Sequence, residues 1–443
     1  SQTWTSHIRD DATFHDGVPV TAEDVAFTIR YLPIACAAWL GAGMDCEPGD
    51  IKVIDDYTVR FTLKRAIGGQ WPAVYWTPVM PKHIWEPYKD NMAAFDNAEA
   101  IGSGPFKLKE FKPAEYMWFE ANEDYWGERP YVDEVLWKNY GSLDALYIAM
   151  RHGDIDIIGY DACPIQGAED FKAEGFEVIE STGIMLGWIS FNLHKDGPIQ
   201  DLDVRKAIMH AMDKDKIIDM VHLGHAEKVD SWIYPEMPGY NENLPQYDYD
   251  VDKAKAILDQ GGYIDSDGDG IRNDPVTGKN MEFDLIVSSS MPEGVKGATL
   301  TKEMLREVDI AINIQVLDVG TYMSYLYTPQ SDMYDIGFSG EQPGPYADWV
   351  WEFARGGGGW NTAYYNNPQF DETLDKMLSE SDLEKRYEYL RDLQMMIAED
   401  LPYGFTYRTI ILNPVSDKFE GYVNMMGLSN WINPWSYYKV HLK

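Results

Sequence analysis

The chain has 443 residues, with 73 acidic against 37 basic side chains and a formal net charge of −36. That balance excludes nucleic acid and anionic lipid as partners, because both are bound through basic patches that the sequence lacks. Hydrophobic residues at 45% with charged residues at 25% describe a globular chain, and the length predicts two or three lobes. The 29 Tyr and 15 Trp exceed what a core demands and leave two readings, heavy aromatic packing or a cleft whose walls stack on ligands.

The chain opens at Ser1-Gln2-Thr3-Trp4 within a strand pattern and without an initiator Met, so a processed or truncated start is expected. Thr21-Ala22-Glu23-Asp24 is a capping-box pattern and predicts a helix carrying Val25, Phe27, Ile29 and Tyr31. Ile51–Ile54, the turn Asp55-Asp56 and Tyr57–Leu63 predict a hairpin with Tyr57, Val59, Phe61 and Leu63 on one face. The turn cluster Gly102-Ser103-Gly104-Pro105 is followed by strand patterns at Phe106–Leu108, Tyr116–Glu120 and Val135–Lys138. From Asp201 the period becomes helical (Val204, Ile208, Ala211, Met212), and a second helix from Asp252 to Leu258 ends at Gly261-Gly262. Alternation at Met281, Phe283, Leu285, Val287 and at Ile312, Ile314, Val316, with a helical segment at Leu300–Val308 between, predicts a β-helix-β unit. Leu383, Tyr387, Leu390, Leu393 and Ile397 mark a long amphipathic helix, and Trp431, Trp435, Tyr437 and Tyr438 close the chain. No apolar run is long enough to cross a membrane.

The search for catalytic motifs is negative: no HExxH, GxSxG, Walker A loop or GxGxxG after a strand is present, so no enzyme is expected. His222 and His225, at i and i+3, are a metal-ligand pair or, the blander reading, exposed histidines near a helix end. Cys36 and Cys46 flank an apolar loop that a disulfide would close in an oxidising compartment, leaving Cys163 single; three buried thiols are the other reading. Asp265-Ser266-Asp267-Gly268-Asp269-Gly270-Ile271-Arg272-Asn273-Asp274 follows the D-x-D-x-D-G calcium pattern, with Asp265, Asp267, Asp269, the Ile271 carbonyl and Asn273 as ligand candidates. Position 12 is Val276 rather than a bidentate Glu, so a structural calcium ion competes with a solvated Asp/Gly turn. No other cofactor is required.

Trp4–Arg9 and Ala12-Thr13-Phe14-His15-Asp16-Gly17-Val18-Pro19-Val20-Thr21-Ala22-Glu23-Asp24-Val25 closely resemble the signature of family 5 solute-binding proteins, the peptide/nickel-type extracytoplasmic receptors of ABC importers. Further matches follow in family order at Gly102–Leu108, Asn122–Trp126, Arg151–Asp156, Phe191-Asn192, Asp203–Ile208 with Ala211–Lys214, and the Asp-rich loop after Ala256–Leu258. The resemblance implies an α/β, periplasmic-binding-protein-like fold (type II, cluster C-like): two lobes, a hinge and an extra subdomain inserted in the first lobe. Mapped here, 1–105 is the inserted subdomain, 106–185 lobe I, 186–405 lobe II and 406–443 the return to lobe I. The hinge strands fall near 181–195 and 401–408. Members of the family usually carry a further N-terminal stretch with a signal or lipoprotein segment, so a periplasmic or cell-surface location is expected, with a lipid anchor as one form of it.

The resemblance also implies a site. In peptide-binding members an aspartate after a Gly-Trp strand end pairs with the ligand's amino terminus. The matching run is Asp335–Pro343, in which Phe338 stands for the Trp, Ser339 and Gly340 follow, and Glu341 stands for the Asp. A buried carboxylate against a desolvated ammonium is a strong charge-assisted contact. Trp349, Trp351, Arg355, Trp360 and Asn361 lie where relatives contact ligands, with Arg355 suited to a carboxylate end and the tryptophans to stacking. Tyr403 and Tyr407 are expected to line the cleft near the hinge, and Trp71, Tyr75 and Trp76 are weaker candidates. The expected function is capture of di- or oligopeptides by a monomeric receptor that delivers them to an ABC permease. Oligosaccharide, then a nickel complex, are the alternatives within the fold, and a secreted hydrolase the alternative outside it.

Overall fold

The structure, a computed structural model, describes residues 2–35, 50–63, 78–92, 95–159, 163–328, 333–341, 354–358, 361–423 and 439–443, with the side chains of 32–35, 184–185 and 338–341 left out. Near the start, β1 (Thr3–His7), β2 (Ile51–Asp55) and β3 (Thr58–Thr62) form an antiparallel sheet in the order β1-β3-β2. Helix α1 (Ala22–Ala35) packs on it, burying Phe27 and Ile29 against Val59, Phe61 and Leu63. The capping pattern is realised from one side only: Asp24 reaches back to Thr21, while the Thr21 hydroxyl donates to that carboxylate and the Asp24 amide bonds the Thr21 carbonyl. Asp24 Oδ2 accepts from the Thr21 amide and hydroxyl at 2.9 and 2.8 Å, and its Oδ1 accepts from the amide of Lys82, which opens the short helix α2 (Lys82–Trp85). The predicted hairpin face is present, with Tyr57 only half-buried at its turn.

Strands β4 (Phe106–Lys112), β5 (Tyr116–Ala121) and β6 (Glu134–Lys138) make an antiparallel meander. Helices α3 (Leu143–His152) and α4 (Ile165–Ala173) then build a small core from Met150, Ile158, Ala168, Phe171 and Leu412.

The largest sheet has six strands in the order β10-β9-β11-β7-β12-β8. They are β7 (Glu177–Phe191), β8 (Ala226–Lys228), β9 (Glu282–Ser288), β10 (Ala311–Leu317), β11 (Ile336–Glu341) and β12 (Tyr403–Val415). One face packs on α5 (Leu202–Ala211), α6 (Lys214–His222), α7 (Val251–Gln260) and α8 (Pro292–Arg306), around Ile189, Phe191, Phe283, Leu285 and Val287. The other takes α9 (Val319–Tyr327), α10 (Pro368–Ser379) and α11 (Leu383–Asp400), around Trp188, Trp232, Ile286, Phe370 and Leu393. A strand buried on both faces should be apolar, and the stretch Leu285–Val287 of β9 is, while Glu282 at its start is exposed. The predicted β-helix-β unit is β9-α8-β10, parallel with Leu285 opposite Ile314. Its helix begins a turn or more earlier than the apolar period suggested, because Pro292 sits at the first helical positions and fixes φ there. Val316 departs from expectation: β10 is the edge strand and leaves it exposed.

Strands β7 and β12 are long for a physical reason: they serve two cores. Their outer halves, through Val178, Ile410 and Leu412, belong to the α3–α4 core, and their inner halves, through Leu186–Phe191 and Tyr403–Tyr407, belong to the six-stranded sheet's two faces. Between the halves the register breaks twice. Thr406 is an extra residue on β12 between the pairs Phe405↔Trp188 and Tyr407↔Gly187, and three residues of β7 face one of β12 between Arg408↔Leu186 and Ile410↔Thr182. At the second break a Cβ on Gly183 would lie 2.6 Å from the Thr409 carbonyl, so only glycine permits this approach. The result is a two-lobed fold whose lobes share two irregular strands.

Candidate functional site

Strand β11 carries the run expected to meet ligand. It lies between β9, with which it runs parallel, and β7, with which it runs antiparallel, and its backbone ends at Glu341 opposite Leu186. On the other side of β7, Leu186 pairs with Arg408, which pairs in turn with Glu227 on β8. One row across the sheet therefore reads Glu341, Leu186, Arg408, Glu227, with Glu341 and Arg408 two strands or about 10 Å apart in backbone. The row lies beside the register break between the lobes.

Arg408 was not picked out by the sequence, where a lone Arg in an apolar strand gives no hint of its surroundings. Its side chain is almost wholly buried, its guanidinium donates to the carboxylates of Glu227 and Glu236, and it lies 4.6 Å from the centroid of the Tyr234 ring. Burial opposes its charge, but the bonds to Glu236 and Glu227 outweigh that and raise its pKa further.

Arg355 does not stand ready for a ligand's carboxylate. Its Nη2 is 2.9 Å from Asp375 Oδ1, and the neighbouring Gly356 amide donates to Asp371 Oδ1 at 3.0 Å. Asn361 is a bracket within its loop: Nδ2 donates to the carbonyls of Arg355 and Tyr365, and Oδ1 accepts from the Tyr365 amide. Tyr403 also belongs to the interior. It is 1% exposed, its hydroxyl donates to Asn361 Oδ1 at 3.3 Å and accepts from the Ala363 amide. Tyr407 is buried on the opposite face, because the extra residue Thr406 turns it away from the side shared by Tyr403 and Phe405. Its ring meets His222 at 4.2 Å and covers Gly187, and burial raises its hydroxyl pKa. The expectation that these two tyrosines line a cleft is thus corrected: both are packing residues here. Phe338, Ser339, Gly340 and Glu341 are placed by their backbone alone, and Trp349, Trp351 and Trp360 lie outside the described residues, as do Trp71, Tyr75, Trp76, Cys36 and Cys46. Cys163 is a buried thiol, its pKa pushed up to about 11 by burial, with Sγ 3.9 Å from the Tyr147 hydroxyl.

The two histidines depart from the sequence reading. His222 is 2% exposed, and neither ring nitrogen has a hydrogen-bond partner among the described residues. His225 points elsewhere, with Nε2 3.1 Å from Glu169 on α4, so the two do not form a ligand pair.

In the Asp-rich loop, one oxygen each from Asp265, Asp267 and Asp269 lies within 4.8 Å of the others. Gly268 and Gly270, with φ of 81° and 87°, turn their amides onto Asp265 Oδ1 and Oδ2 at 2.6 and 3.0 Å; burial opposes the Asp265 charge most, but these amides and the neighbouring hydrogen bonds together lower its pKa. Asp269 accepts from the Ile271 amide and from Asn280. Asn273 is not directed at the cluster: its Oδ1 accepts from the amide and hydroxyl of Ser266, both at 2.7 Å, and its Nδ2 donates to Asn280. Arg272, buried, ties the loop down through Val308 O, Asp259 and Tyr263 O. The loop leads into the start of β9, and β11 runs parallel to β9, so it sits at the sheet end opposite Glu341. At that same end Lys195 holds Asp335 at 2.9 Å, and burial raises the Asp335 pKa despite the Asp284 amide and this lysine.

With the two-lobed fold and the β11 row established, the relatives are informative. Residues 1–360 match the family described as bacterial extracellular solute-binding proteins, family 5, middle region. The chain belongs to that family. It is 28% identical over 428 residues to the oligopeptide-binding protein AppA of Bacillus subtilis strain 168, covering 94% of this chain and 77% of the relative. A putative peptide-binding protein AppA from Clostridium difficile superposes with a TM-score of 0.88 at 22% identity, covering all of this chain and 89% of that one. The Bacillus subtilis AppA structure in complex with a nonapeptide gives 0.76 at 24% identity, covering 100% and 87%. Among the described residues no helix is long and apolar enough to cross a membrane.

Proposed function

We propose that this chain is the extracytoplasmic receptor of an ABC importer, which captures peptides between its lobes and presents them to a membrane permease without chemical turnover. The observation that carries this reading is the match along nearly the whole chain to an oligopeptide-binding protein, in a family of solute-binding proteins. The geometry is consistent with it. Two strands with broken register join two separately packed cores, which is where a change of interlobe angle costs least, and a ligand gains affinity by its extra contacts in the closed arrangement.

Glu341, at the end of β11 beside this junction, is the proposed partner of the peptide's ammonium group. Removing one member of a desolvated, hydrogen-bonded charge pair costs a few kcal/mol. Glu341→Gln therefore weakens peptide affinity on the order of 10²-fold or more in calorimetric titration, and an unchanged affinity removes Glu341 from the site. Native mass spectrometry of the purified protein tests the reading itself: a retained peptide supports it, and a retained glycan or metal complex replaces it. We also propose that the Asp265–Asp267–Asp269 loop holds a structural calcium ion. Three carboxylate oxygens already converge there, with the backbone turned by two glycines.

A further inference from the structure

Resting on the peptide-receptor reading, we propose that the turn between α6 and β8 is a strut between the two lobes, and that its His225–Glu169 contact holds the cleft open until a peptide closes it. Glu169 lies on α4, whose Ala168 and Phe171 belong to the α3–α4 core. His225 follows α6 and precedes Ala226 of β8, which with Val221 belongs to the core of the six-stranded sheet. His225 Nε2 is 3.1 Å from Glu169 Oε1, with the two side chains 17% and 37% exposed. The backbone of His225 reaches across the junction as well: its carbonyl accepts from the Ile410 amide at 3.0 Å, and Ile410 packs on the α3–α4 core. Neighbouring ion pairs stay on one side. Arg151 holds Glu174 and Lys172 holds Glu180, while Lys214 holds Asp230 and Arg408 holds Glu227 and Glu236. Among the described residues, His225–Glu169 is the one ion pair that joins elements of the two cores.

Both ends of the contact are seated in their own core. Leu223 and Gly224, with φ of 50° and 83°, close α6; the Gly224 amide donates to Ile218 O and the His225 amide to His222 O. Behind the turn the buried His222 ring packs on Tyr407 at 4.2 Å. On the other side Phe171 is buried and carries the Arg151 guanidinium 4.8 Å from its ring centroid. The strands between these two seats are less well braced. At the first register break Thr406 Oγ1 donates to Gly187 O at 2.6 Å. Beside the second, the hydroxyls of Ser181 and Thr409, both withdrawn from solvent, have no hydrogen-bond partner among the described residues. The second break is therefore where the strands fix the interlobe angle least, and it is the one the strut spans.

The strut stands on the side away from the proposed site. In the six-stranded sheet β11 flanks β7 and β8 flanks β12, so the β7–β12 pair runs between the end of β11 and the turn. A rotation in the plane of the sheet that carries the α3–α4 core toward the end of β11 carries α4 away from β8. Closure on a ligand at β11 thus parts His225 from Glu169, and the free energy of the contact opposes closure. A partly exposed pair of this kind shifts an equilibrium by roughly twofold to fivefold, enough to tune affinity without deciding it.

The test uses the full chain, Glu169→Ala, His225→Ala, the double variant, and Lys172→Ala, whose lysine also faces Glu169 but from within α4. Hydrogen exchange at the Ile410 amide reads release of the turn without any ligand. It is expected to be roughly twofold to fivefold faster in both single variants, no faster in the double variant than in either single one, and unchanged in Lys172→Ala. Affinity for the tightest binder from a pool of synthetic peptides of about two to nine residues is expected to rise by the same factor in the single variants, and that peptide should speed Ile410 exchange in the wild type. A merely local loosening would speed the exchange and leave affinity alone. Exchange at the wild-type rate in the single variants overturns the strut, and effects that add in the double variant overturn the pairing of these two residues. Faster exchange with unchanged or weaker peptide affinity overturns its opposition to closure. A chain that binds no peptide of the pool overturns the peptide reading, and the strut is then decided by Ile410 exchange alone.

Discussion

His222 is an almost wholly buried imidazole, and among the described residues no partner answers either nitrogen. Burial lowers its pKa to about 4, with Lys296 on α8 adding to the effect, against an ordinary value near 6.5. The folded chain therefore keeps it neutral while the unfolded chain takes up a proton as pH falls. Stability from this group is complete above about pH 6.5, is lost progressively as pH falls toward about 4, and levels off below that, for a total on the order of 3 kcal/mol. His222→Phe keeps a ring against Tyr407 and removes the titration. Urea unfolding of both proteins between about pH 7 and about pH 4.5 should show the wild type losing about 2 to 3 kcal/mol more than the variant, the many carboxylates cancelling in the comparison. Parallel pH profiles would mean that His222 takes up its proton as readily in the fold as in the unfolded chain. The residue scale is also where sequence reading fails most plainly. Tyr403, Tyr407 and His222 carry polar tips that suit a cleft or a core equally well, and only tertiary packing decides between them.

At the scale of elements, legibility followed regularity. Helix α5 with its Asp201 cap, α7 with its glycines, and β9-α8-β10 repeat one period long enough to be read. Strands β7 and β12 could not be read in the same way. Their alternation is interrupted by Ser181, Gly183, Gly187 and the extra Thr406, which are the positions where the strands pass from one core to another. The proposed site inherits this limit: the likeness of Asp335–Pro343 to its family singles out Glu341 as a candidate, but nothing local in the sequence shows that Arg408 lies in its strand row. The Asp-rich loop lies at the other extreme, since its pattern is legible while its occupant is not. With calcium bound, the loop gains stability by mass action, and a chelator should lower the melting temperature by a few degrees, restored by excess calcium and not by magnesium. The unfolding of Asp267→Asn should no longer respond to either. A melting temperature indifferent to chelator in the wild type would leave the loop as an Asp/Gly turn, held by Arg272 and the amides of Gly268 and Gly270.

For the whole molecule the governing quantity is charge against size. A surface of 21341 Å² shared among 36 net negative charges gives about 600 Å² to each, a mean spacing of roughly 24 Å. That spacing lies below the Debye length at about 0.01 M salt, near 30 Å, and well above the 8 Å reached at about 0.15 M. Self-repulsion should therefore act across the fold at low salt and be nearly spent at physiological salt. The melting temperature is expected to climb steeply over that first interval and then flatten, in scanning calorimetry with sodium chloride. A rise continuing in proportion to salt toward about 1 M would show that exclusion of salt from the surface, rather than screening, stabilises the protein. Lobe closure feels the same repulsion, since it brings two negative bodies together around the ligand. The salt interval that raises the melting temperature should thus also ease closure and tighten peptide binding, and a melting curve that responds to salt while the affinity does not would separate repulsion across the fold from repulsion between the lobes.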